Sequence, residues 1–160
     1  MPFLLPANFN AGDLYTNVQA NNVAAAINTI VNGMRTAYVA TSEPYATAAW
    51  GDLATTTDQV TVTIGQSGIA LVFLSASINP NTVGGTGWVS VAVSGANTIG
   101  PASPQLIFYQ APVANYSAQY GVAALMTGLA PGSTTFKLKY YINPGGAYFA
   151  NRSLAVIPFP

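Results

Sequence analysis

From position 60 onward the chain alternates. In "VTVTI" (60–64), Val60, Val62 and Ile64 take turns with threonines, the two-residue period of a strand covered on one face. Six further runs share this character: "IALVFLSASI" (69–78), "WVSVAVSG" (88–95), "QLIFYQ" (105–110), "AQYGVAALMTGL" (118–129), "TFKLKYYI" (135–142) and "AYFANRSLAVI" (147–157). Each is bounded by Gly, Pro or Asn, and the intervening "GQSG", "NPNTVGGTG", "GPASP", "APGS" and "NPGG" carry the positive-φ and fixed-φ residues that tight connections need. At least seven strands with no helical pattern between them predict a mainly β, antiparallel sandwich rather than a parallel sheet crossed by helices. In "TFKLKYYI" the set Phe136, Leu138, Tyr140 and Ile142 shares one face, and Lys137, Lys139 and Tyr141 share the other. The run at 69–78 is apolar on both sides over Leu71 to Leu74, which predicts a central strand covered twice, by the opposite sheet and by a neighbouring subunit.

Upstream the period changes. Val23, Ile27, Ile30 or Val31, Met34 and Tyr38 recur at spacings of three and four, predicting one amphipathic helix whose other face carries Asn22, Asn28, Asn32 and Arg35. Thr16 or Asn17 is placed to cap its start. Such a helix either caps one end of the sandwich or bundles with its own copies about a symmetry axis, and the pattern does not choose. Before it, "MPFLLPANFNAGD" (1–13) sets Phe3, Leu4 and Leu5 between two prolines that exclude a helix interior, predicting an extended arm that crosses its own domain or grips a neighbour. "TSEPYATAAWGDLATTT" (41–57) reads as a connection with an edge strand near Trp50. The expected division is therefore 1–45 for arm and helix and 46–160 for the sandwich.

Composition adds the question of company. Four Lys+Arg and four Asp+Glu make up 5% of 160 residues, against about 25% in ordinary soluble domains. A surface of Asn, Gln, Ser, Thr and Gly with no net charge tolerates close neighbours and favours permanent assembly. The neutral balance lacks the basic footprint of a nucleic-acid binder. The longest apolar run is about half the ~20 residues a membrane-spanning helix requires, and "MPFLLP" has no cationic leader character. The sequons at Asn115 and Asn151 would matter only in a eukaryotic secretory pathway.

Chemistry is sparse. The chain has no His and no Cys, which removes the usual nucleophile–base pairs and most zinc sites. Asp13, Glu43, Asp52 and Asp58 are its only carboxylates, and they form no cluster in sequence that would hold calcium. Asp52 in "AWGDL", beside Trp50, is the best-placed carboxylate for a sugar, although a turn aspartate bonding its own backbone is the ordinary reading. "VGGTGW" (83–88) lacks the Lys and Ser/Thr of a phosphate loop. No catalytic residue, metal or cofactor is expected.

The order of apolar arm, "FNAGDLYTNVQANNVAAAINTI", Thr-rich passage and "TTTDQVTVTIGQSGIALVFLSASI" resembles small virion proteins of tailed bacteriophages, particularly those of actinobacterial hosts. The closing "GLAPGSTTFKLKYYINPGGAYFANRSLAVIPF" is similar to the last strands of their trimeric jelly-roll domains, related in shape to the tumour-necrosis-factor and C1q folds. The resemblance implies a non-enzymatic homotrimer on the virion, made in the host cytoplasm. It would be a head decoration protein whose arm (Phe3, Leu4, Leu5, Phe9) docks on the major capsid protein. It also places Arg152 near the trimer contact, together with Tyr140, Leu154, Val156 and Ile157. The alternative it leaves open is a minor tail or fibre component that recognises a host-surface glycan through Trp88 or Tyr116. A hydrolase built on Asp52 is the third reading.

Overall fold

The computed structural model describes residues 17–101 and 106–160. The arm residues Phe3, Leu4, Leu5 and Phe9, with Asp13 and the cap candidate Thr16, lie outside the described residues. A helix, α1 (Asn17–Gly33), is followed by nine strands: β1 (Arg35–Val39), β2 (Glu43–Tyr45), β3 (Gln59–Ile64), β4 (Ala70–Pro80), β5 (Thr86–Gly95), β6 (Leu106–Gln110), β7 (Ala118–Met126), β8 (Gly132–Asn143) and β9 (Ala147–Pro158). Sheet 1 runs β1-β9-β4-β7 with β2 also paired to β9, sheet 2 runs β3-β8-β5-β6, and every pairing is antiparallel.

The alternating residues do what their period demands. Val72, Leu74 and Ile78 of β4, Val89 and Val91 of β5, Phe136, Leu138 and Ile142 of β8 and Leu154 and Val156 of β9 meet between the sheets, each almost wholly buried. The Tyr140 and Phe149 rings cross the gap 5.0 Å apart. At one end the sheets come so close that Gly87 of β5 has no room for a side chain, since a Cβ there would fall 2.5 Å from Ile78 Cγ2.

Three expectations shift. The helix ends at Gly33, and Tyr38 belongs to β1 rather than to the helical stripe. Arg35 closes the helix by donating from Nη1 to the carbonyls of Asn32 (2.7 Å) and Met34 (2.8 Å), satisfying end groups that the turn leaves free. Because β1 and β2 are part of sheet 1, the sandwich begins at Arg35 rather than at 46. The connection after β2 is not an edge strand at Trp50: it bridges β8 only at Gly51–Tyr140, with Leu138 N–H bonding to Asp58 O and Ile142 N–H to Thr47 O, so it extends the β8 edge where β3 stops. β4 is central as expected, but only its inner side is covered within the chain, and Phe73 remains 40% exposed.

Candidate functional site

In the described region, Glu43, Asp58 and Arg152 form one ionic cluster and Asp52, Lys137 and Lys139 another, which leaves Arg35 at the helix end. The first is internal. Ala147 and Phe149 of β9 face the core, and strict alternation would turn Arg152 outward. Instead Ser75 pairs with Ser153 and Ser77 with Ala150, so Asn151 and Arg152 together oppose the single residue Ala76. Asn151 takes the extra position at φ 48°, a left-handed value that Asn tolerates better than most side chains. Beyond it the inward set becomes Arg152, Leu154 and Val156, and Arg152 is 0% exposed.

A buried guanidinium is tolerable only when anions meet it. Arg152 Nη2 lies 2.9 Å from Glu43 Oε2, close but out of line for a hydrogen bond, and Nη1 donates to Asp58 Oδ2 at 3.4 Å. The Tyr140 hydroxyl donates to the same Asp58 oxygen at 2.6 Å, and its ring centroid stands 5.6 Å from the Arg152 carbon. Glu43 is held from its other side by the Thr55 amide (3.0 Å to Oε1) and the Thr55 hydroxyl. Burial pushes the Glu43 carboxyl up, but Thr55 and Arg152 together outweigh it and hold the group below its ordinary range. For Asp58 burial prevails over Tyr140 and Arg152, and its carboxyl is raised. Burial, with Asp58 alongside, keeps the Tyr140 hydroxyl protonated far above its usual range. The cluster joins β9 and β2 of sheet 1 to β8 and the entry to β3 of sheet 2, where the chain crosses between layers. It is a structural tie closed to any substrate.

The second cluster lies on the outer face of sheet 2. Asp52 takes Lys137 on Oδ2 (2.9 Å) and Lys139 on Oδ1 (2.7 Å). Burial raises its carboxyl, yet the two lysines outweigh this and hold it below the ordinary range. The carboxylate is thus occupied by two cations, which suits neither a general acid nor a self-bonded turn. Beside it Tyr141 packs between Trp50 (centroids 5.6 Å) and Trp88 (4.9 Å, edge-on), with Phe108 exposed next to Trp88 on β6. No group of three or more His, Cys, Asp or Glu that could hold a metal occurs among the described residues.

The outer face of sheet 1 is different. By register, Leu71, Phe73 and Ser75 of β4 stand beside Ile157, Ala155 and Ser153 of β9 and Leu125, Ala123 and Gly121 of β7, with Thr36 and Tyr38 of β1 at the edge. None of these outward residues is charged. Leu125 and Tyr38 are 58% and 65% exposed, and beside Phe73 the small residues Ser75, Gly121, Ala123 and Ser153 leave a shallow hollow of about 340 Å³.

The residues expected at a subunit contact divide between these places. Tyr140, Arg152, Leu154 and Val156 are 0% exposed inside their own sandwich, so their side chains cannot reach a neighbour, while Ile157 faces outward. Of the glycan candidates, Tyr116 is exposed in the β6–β7 connection and Trp88 is half-buried on sheet 2. Sequence reasoning missed Glu43 and Asp58 as partners of Arg152. The available signal was phase: Arg152 shares the even-numbered positions of Leu154 and Val156, and so points with them.

No protein-family model and no curated protein matches the sequence. Among solved structures, the chain is similar to Eiger TNF from S. frugiperda (TM-score 0.52, 12% identity, covering 80% of this chain and 94% of that one). It is also similar to a chain in the structure of infectious bursal disease virus, Gx strain (TM-score 0.53, 11% identity, 79% of this chain), of which it spans about a third. The fold is a TNF-like jelly roll with α1 ahead of its strands.

Proposed function

We propose that this chain is a non-enzymatic virion structural protein, a homotrimer that decorates and stabilises a capsid lattice by binding the major capsid protein. The observation that carries the reading is the uncharged outer face of sheet 1, where Leu125 and Ile157 flank Leu71 and the neighbouring Phe73 borders a hollow lined by small residues. A monomer seldom leaves such a face to water, and a second copy offers both a ring and a hollow to match it. The jelly-roll likeness, one instance of which is a chain of a virus, supports the setting. The arm (Phe3, Leu4, Leu5, Phe9) is the segment assigned to the capsid. Light scattering should give three times the 16.5 kDa chain mass, and the trimer should co-sediment with bare heads assembled from the major capsid protein of the same virus. A stable monomer that leaves such heads bare would overturn the reading.

A second reading, a tail component that binds a host-surface glycan, is favoured by one observation. Trp50, Tyr141 and Trp88 form an aromatic group next to Asp52 and Lys139 on the opposite, polar face. Rings beside hydrogen-bonding charges are the chemistry of sugar recognition. Glycan-array binding that Trp88→Ala abolishes would support it, and an array without binding would remove it.

A further inference from the structure

α1 carries more apolar surface than its own domain covers: Val23, Ala26, Ile30 and Gly33 form its half-buried side. Asn28, Thr29 and Asn32 of its polar side line a cleft of about 570 Å³ against Thr61 and Thr63 of β3 and the 158–160 end. Gly33 packs against the 158–160 end, where a Cβ would fall 3.0 Å from Pro158 Cγ. A second apolar ridge points away from the domain: Ala24, Ile27, Val31 and Met34, spaced three, four and three apart, are all exposed, with Ile27 at 54% and Val31 at 59%. Met34 continues the helical bonding by donating its N–H to Ile30 O at 3.2 Å, so the ridge runs unbroken to the start of β1.

We infer that this ridge is the seam of a parallel three-helix bundle formed with the α1 helices of two other copies of the chain. The inference rests on the homotrimer reading and names a further contact within it. Spacing of three and four is that of coiled-coil core positions, and β-branched residues in both kinds of layer, here Ile27 and Val31, favour three strands over two. Charge sets no obstacle: none of the 17 residues of α1 is ionisable, so identical helices meet without repulsion and need no oppositely charged partner. Size points the same way. A helix of this length is marginal alone and shorter than the three heptads or more of a self-standing coiled coil. It associates when the sandwiches already hold the copies together, at effective concentrations near the millimolar range.

The absence of cysteine gives a direct test, because a single introduced thiol is unique. In the full chain, Ile27→Cys and Val31→Cys lie on the seam, and Asn28→Cys lies on the cleft side. Under mild oxidation the seam variants should give disulfide-linked pairs in up to about two thirds of chains, since a trimer leaves one thiol in three without a mate, and Asn28→Cys should give few. A trimer by light scattering whose seam thiols stay open to maleimide, or cross-link no more than Asn28→Cys, would overturn the bundle and leave the trimer standing. A monomer at every concentration would overturn both.

Discussion

At the scale of single residues, Arg152 is where the chain takes its largest electrostatic risk. Removing it strands Glu43 and Asp58 in the core, so Arg152→Leu should cost about 3–5 kcal/mol of unfolding free energy, the range for breaking a buried pair from one side. Asp58→Asn should cost far less, because the amide oxygen still accepts from Tyr140 and Glu43 still balances the cation. The two carboxylates also give opposite pH responses. The raised Asp58 group means that the folded chain takes up a proton before the unfolded chain does, so stability rises as pH falls through that raised value. Glu43 and Asp52 are held below their ordinary range, so their contributions, present above the unfolded carboxylate pKa, are lost as pH falls through the lowered values. Urea midpoints measured from neutral pH down to about pH 3 should therefore climb gently and then drop. Asp58→Asn should erase the climb and keep the drop; a climb that survives the substitution would detach it from Asp58.

At the scale of elements, the bulge in β9 decides which face each residue takes. Asn151 at φ 48° supplies the extra position, and its side chain accepts the Tyr38 hydroxyl at 3.0 Å. Asn151→Gly should be nearly neutral, while Asn151→Val, which resists positive φ, should lose about 1–3 kcal/mol in denaturant titration. Equal losses would mean that the backbone geometry there is not what matters. The same bulge marks the limit of legibility. Strands with one unbroken phase, such as "VTVTI" and "TFKLKYYI", disclosed their faces in the sequence, and the sandwich followed. "AYFANRSLAVI" carries two phases joined at Asn151, and reading Arg152 as a subunit contact overlooked that the second phase points it inward. The end of the helix was hidden for another reason: Tyr38 fits the helical spacing from Met34, and only pairing with the distant β9, at Tyr38–Ser153, converts that stretch to strand. Glu43 and Asp58 reach Arg152 across 109 and 94 positions, a separation at which no spacing rule operates. The proposed assembly face, Phe73 with Leu125 and Ile157, was partly legible, because "IALVFLSASI" showed apolar residues on a second side that its own domain leaves uncovered.

At the scale of the whole molecule, the two outer faces differ in kind. Sheet 2 shows Lys137, Lys139 and Asp52 with the Thr61–Thr135 hydroxyl pair, and sheet 1 shows no outward charge on β4, β7 or β9. Burying ~1,000 Å² of apolar surface supplies roughly 25 kcal/mol of gross transfer free energy, from which association and ordering subtract much. What survives is small enough that one misplaced charge decides the outcome. An aspartate at Phe73 or Leu125 would be buried without a partner in the assembled state, costing several kcal/mol, and each 1.4 kcal/mol is about tenfold in association. In the monomer it would sit in water at a position already exposed, so the fold should persist. Phe73→Asp and Leu125→Asp should therefore elute as monomers of unchanged circular dichroism. Thr135→Asp, which sits on the opposite sheet, should remain assembled. Salt discriminates further: a contact without ion pairs should hold its mass from low to high ionic strength, where charge-held assemblies dissociate. If the sheet 2 substitution dissociates the assembly and the sheet 1 substitutions do not, the polar face carries the contact, and the roles assigned to the two sheets must be exchanged.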